Sequence, residues 1–122
     1  MKPFHPSLVL SAVETESLRD YRSRVGRLLP SDAAMTVVAR GYFTVVERVG
    51  LKPAGEVPNL APEQIVADAA SADVARLQTL LASLQALLQG PAAGWRKAVL
   101  AGAPQAVISR RLALAGREAP KE

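Results

Sequence analysis

Residues 77–95 read LQTLLASLQALLQGPAAGW, nineteen positions without one charge, in a chain whose overall charged fraction is 21%. A segment that avoids charge for so long has two ordinary explanations, a membrane or a protein interior. Gln78, Gln85 and Gln89 interrupt the run and Gly90-Pro91 closes it, so its helical part falls well short of the roughly 20 apolar residues a bilayer requires. The segment is therefore expected to be a helix packed against protein. With Leu77 at 0° and about 100° per residue, Val74, Leu80, Leu81, Leu84, Leu87 and Leu88 fall within about 80° on either side. The opposite side holds Ala75, Ala82 and Ala86, edged by Gln78, Gln85 and Gln89 and by Thr79 and Ser83. Surface helices normally carry lysine and glutamate there. Methyl groups and small polar groups allow close approach of another helix, so Ala75, Gln78, Ala82, Gln85, Ala86 and Gln89 form a candidate partner interface. The alternative is that the chain's own C-terminal segments cover this face.

The rest of the chain is punctuated for helices. Ser11 followed by Glu14 has capping-box spacing, and Leu18, Tyr21, Val25 and Leu28 then recur on one face as far as Leu29-Pro30. Ser31-Asp32 can cap a second helix with Met35, Val38, Tyr42, Val45 and Val49 on its buried side, and Gly50 suits a left-handed end. Gly41 inside that helix predicts close packing, because glycine there costs about 1 kcal/mol against alanine. Residues 51–62 hold three prolines and form the long connection. Pro62 suits a first helical position and Leu60 with Ile65 a hydrophobic staple. A short helix to about Ala70 follows, and Ser71 is read as the cap or kink before the uncharged helix. Two further helical segments, GWRKAVLA and PQAVISRRLALA, meet at Gly102-Ala103.

The expected fold is all-α: a single-domain helical bundle of about four main helices plus a short basic C-terminal helical hairpin. Residues 1–50 form the N-terminal helical hairpin, 51–62 the connection, 63–90 the central helices and 91–122 the basic hairpin. At 122 residues without cysteine, such a chain can bury a core that needs no disulfide. The six-residue apolar run near the N-terminus is too short for a signal peptide. Together with the interrupted Leu77 run, this makes the expected location cytoplasmic.

Catalytic chemistry finds little to work with. His5 is the one histidine and cysteine is absent, so His/Cys metal clusters and Ser-His-Asp triads are excluded. Glu63, Asp68 and Asp73 are spaced by five, which turns successive carboxylates about 140° around a helix. No glycine-rich loop matches a phosphate cradle. The expectation is a non-enzyme with no catalytic residue, metal or cofactor, and with no small-molecule substrate and no membrane as partner.

The net charge of +4 is unevenly spread: +3 over residues 1–55, −3 over 56–90 and +4 over 91–122. Basic ends suit an acidic partner, protein or nucleic acid, or are simply solvated. In residues 94–113, Ala98, Gly102 and Ile108 stand at the fifth, ninth and fifteenth positions of a helix-turn-helix. The run AGAPQAVISRRL resembles the turn and recognition helix of helix-turn-helix repressors. The resemblance implies that Gln105, Ala106, Ser109 and Arg110 face a major groove, where Gln bonds adenine and Arg bonds guanine. It makes Arg96, Lys97 and Arg111 phosphate contacts or neighbours of them. Trp95, beside Arg96, suits stacking on a base or a guanidinium, or plugging one end of the bundle. The pattern departs at Lys97 and Arg111, the fourth and eighteenth positions, where apolar residues are expected. The competing reading is a hairpin with Val99, Leu100, Val107, Ile108 and Leu112 docked on the bundle.

Two functional expectations follow. The first is a non-catalytic interaction or assembly module, oligomeric, binding its own copies, a protein or another acidic partner, with a makeup like that of phage or other multi-subunit assembly components. The second is a DNA-binding protein using residues 94–113.

Overall fold

A computed structural model describes residues 10–26, 32–54, 60–90 and 92–116, except for the side chains of residues 32, 33, 92 and 93. Lys2, His5, Arg27, the Leu28 and Leu29-Pro30 end of the first helix, the Ser31 cap, the middle of the 51–62 connection, Pro91, Arg117 and Lys121 lie outside it. Six helices follow one another: α1 (Ala12–Val25), α2 (Asp32–Arg48), α3 (Pro62–Ala69), α4 (Val74–Gln89), α5 (Ala92–Ala101) and α6 (Ala103–Leu114). Among the described residues none is long and apolar enough to cross a membrane.

Local chemistry accounts for most boundaries. Ser11 Oγ accepts from the Glu14 amide at 3.1 Å and Glu14 Oε1 accepts from the Ser11 amide at 2.9 Å, a complete capping box. α2 ends where Gly50 takes φ 91°. The Gly50 amide bonds the Glu47 carbonyl and the Leu51 amide bonds the Val46 carbonyl. This is a Schellman ending, and its usual apolar contact explains why Leu51 and Val46 are both buried. α3 begins at Pro62, with Gln64 Oε1 accepting from the Ala61 amide at 2.8 Å. α4 is capped by Asp73, whose Oδ1 accepts from the Arg76 amide at 2.8 Å. The expected cap, Ser71, sits instead in the turn before it, since its amide closes on the Asp68 carbonyl. Gly102, at φ 86°, separates α5 from α6.

The core is one cluster drawn from all six helices. Leu77, Leu80, Leu81 and Leu84 are fully enclosed, each contributing roughly 2 kcal/mol of burial. Tyr42, Phe43 and Trp95 meet edge-on or tilted at centroid distances of 5.2 to 6.3 Å. The last two helices pack closely into the bundle. α6 packs against α1, α3, α4 and α5, and the Tyr42 and Arg111 side chains tie it to α2 and the residue that follows it. Tyr42 Oη donates to the Pro104 carbonyl at 3.0 Å, and Arg111 Nη2 donates to the Val49 carbonyl at 3.0 Å.

Candidate interaction site

α4, which carries the uncharged stretch from Leu77 on, divides into an enclosed part and an open part. Residues 80–84 are five consecutive buried positions, more than a full turn. Ala82 is 7% exposed and Ser83 is buried as well, so the chain itself covers both sides of α4 there. Gln78 is also taken up internally: its carbonyl accepts from the Ala54 amide at 3.1 Å and its Oε1 from the Lys52 amide at 3.4 Å. It straps the stretch after α2 onto α4. Of the six residues expected at an interface, Ala75, Gln85, Ala86 and Gln89 are exposed. The last three lie together on the final turn and a half, beside half-buried Leu87 and Leu88. Ala75 stands at the other end.

The candidate nucleic-acid contacts fare differently. The helix-turn-helix positions adopt that pattern locally: Ala98 and Ile108 are fully buried and Gly102 is left-handed. The eighteenth position is buried too, although it holds Arg111, which is 1% exposed. Its Nε and Nη2 both donate to the Val49 carbonyl, at 3.3 and 3.0 Å. Burial disfavours its charged form and the Glu14 carboxylate opposes that effect. Trp95, 4% exposed, belongs to the aromatic cluster. Arg110 Nε donates to the Ala72 carbonyl at 2.8 Å, and Ser109 Oγ accepts from Arg22 at 2.9 Å. Gln105 Nε2 reaches the Val99 carbonyl at 3.4 Å, while its Oε1 is buried without a partner. Arg96 is half-buried. Of these seven residues Lys97 is the exposed one, and α6 has no exposed position from 103 to 115. A recognition helix must offer a free face to the groove, whereas Gln105, Ser109 and Arg110 on α6 are half-buried and bonded within the chain. Trp95 and Arg111 are the two of the seven that are buried.

The carboxylates have separate surroundings. Asp68 accepts from Arg76 Nε at 2.9 Å and pairs with its Nη2 as well, which holds the Asp68 carboxyl below its usual range. Asp73 caps α4, and Glu63 stands exposed on the first turn of α3. Burial pushes the Tyr42 phenol up, away from any role as an acid at neutral pH.

One apolar residue escaped the sequence reading. The docked-hairpin reading of residues 94–113 counts Leu100 among its packing residues, and Leu100 is 65% exposed. Trp95, Ala98 and Val99 form the buried side of α5, and at 100° per residue Leu100 projects well away from them. Helical phase carries that signal, which the apolar character of Leu100 hides. Comparison of the chain with known protein families, with characterised proteins and with solved structures gives no match.

Proposed function

We propose that the protein is a non-catalytic helical assembly module that associates with copies of itself through the open end of α4. The observation that carries this reading is the exposed, uncharged surface of Gln85, Ala86 and Gln89 next to half-buried Leu88. Alanine lets a second helix approach to the close end of the usual 8–10 Å range. The glutamine amides, each donor and acceptor, can bond their counterparts across a two-fold axis without leaving a charge in the contact. The helix-turn-helix alternative draws no support from the inward-turned side chains of α6.

Sedimentation equilibrium tests the proposal. The wild-type chain is expected to rise above 12.9 kDa with concentration, and Ala86→Lys to show a lower average mass than wild type at each concentration, with unchanged helix content. Lysine is a good helix former and position 86 is exposed, so the substitution acts on association. Ala82→Lys is unsuitable, since it would insert a charge at a buried position. Identical profiles for wild type and Ala86→Lys would sink the reading, as would a wild-type chain of constant monomer mass.

A further inference from the structure

A second surface carries a more specific signature. A groove between the start of α3 and the second half of α5 is lined by Pro62, Glu63, Lys97, Leu100 and Ala101. Leu100 leaves its side chain largely in water. Glu63 and Lys97 are exposed, and neither has a hydrogen bond or ion pair among the described residues. One groove thus holds one acid, one base and one exposed leucine, and neither charge is paired among the described residues.

That combination selects its occupant. An acidic segment would meet Glu63 and a basic one would meet Lys97, so a ligand of either single sign is opposed by one wall. A second copy of the chain satisfies both. A two-fold axis beside Leu100 would set Glu63 of each copy opposite Lys97 of the other and bring the two leucines together over Pro62 and Ala101. We propose that this groove is a contact between two copies, in which leucine burial supplies attraction and the reciprocal ion pairs set orientation. It uses different residues from the α4 surface and goes beyond the reading given for it, so a chain with both contacts can extend past a dimer.

Charge exchange between copies tests the contact directly. Lys97→Glu gives a groove with two acids and Glu63→Lys a groove with two bases, so each variant repels its own kind. In an equimolar mixture every cross-pair is opposite in sign. Sedimentation velocity over a concentration range is expected to show each variant self-associating about ten-fold more weakly than wild type, and the mixture recovering association. Leu100→Ser is expected to weaken association without being rescued by mixing. Circular dichroism verifies that the exposed substitutions leave the fold intact. Variants that associate like wild type, or a mixture that fails to recover, overturn the proposal. Loss of association in Ala86→Lys with both charge variants behaving as wild type overturns the groove and leaves the α4 contact standing; the reverse pattern overturns the α4 contact and keeps the groove. A wild-type chain of constant monomer mass overturns both.

Discussion

Gly41 is a place where one missing atom decides how two helices cross. A β-carbon there would lie 2.8 and 2.9 Å from Cε1 and Cζ of the Tyr21 ring, well inside contact distance. The Arg24 guanidinium also lies over the ring, 5.3 Å from its centroid. Alanine would favour the helix by about 1 kcal/mol, whereas overpacking costs about 1–3 kcal/mol, so the steric effect wins. Gly41→Ala is expected to lower unfolding free energy by about 1 kcal/mol. In a Tyr21→Ala background the same change is expected to stabilise by up to about 1 kcal/mol. Urea unfolding of the four variants checks this, and one sign in both backgrounds would refute it. Arg111 makes a different demand on its surroundings. It brings a guanidinium to the carbonyl end of α2, where the helix dipole favours positive charge. Arg111→Ala removes a buried side chain and a carbonyl's donor together, and is expected to cost about 2–4 kcal/mol. Arg111→Met, which keeps most of the volume, is expected to cost less, as a pair of thermal melts would show.

Helices as units explain which parts of this fold could be read in advance. Capping and phase are local, and they sufficed for the Ser11–Glu14 box, the Gly50 ending, the Pro62 start and the buried Leu77, Leu80, Leu81 and Leu84. The close approach at Gly41 was legible from the price of glycine in a helix, though Tyr21 as its neighbour was not. What escaped depends on partners distant in the chain. Arg110 and Arg111 counted as surface charge because the Ala72 and Val49 carbonyls that receive them lie 38 and 62 residues away. Gln78 appeared free because its partners, Lys52 and Ala54, belong to a segment with no periodicity. The helix-turn-helix pattern marked position 111 as buried, yet its arginine argued for the surface; a carbonyl acceptor resolves the two. The same contact defines an expectation for α6. Arg110→Ala should leave the anisotropy and salt dependence of labelled duplex DNA unchanged, while reducing stability by about 1 kcal/mol through the lost bond to Ala72. A shallower salt slope in that variant would return α6 to the candidates for DNA contact.

At the scale of the whole molecule, the position of α6 links stability to assembly. α1, α3, α4 and α5 pack on it and α2 is bonded to it through Tyr42 and Arg111. The open end of α4 and the groove between α3 and α5 are therefore carried by helices that share one support. Their relative placement is fixed to the extent that α6 stays in place. A helix with no exposed position from 103 to 115 can release its amides to solvent only when its neighbours separate, so its opening free energy should approach that of global unfolding. Native-state hydrogen exchange is expected to find the slowest amides in α6, around Val107, Ile108 and Leu112, and faster exchange in the exposed last turn of α4. The alternative, a C-terminal hairpin docked at the edge, would open without disturbing the rest, and α5 and α6 would then exchange together ahead of α1 and α2. Slow α6 amides that respond to urea with the slope of global unfolding would identify it as the member on which the fold closes.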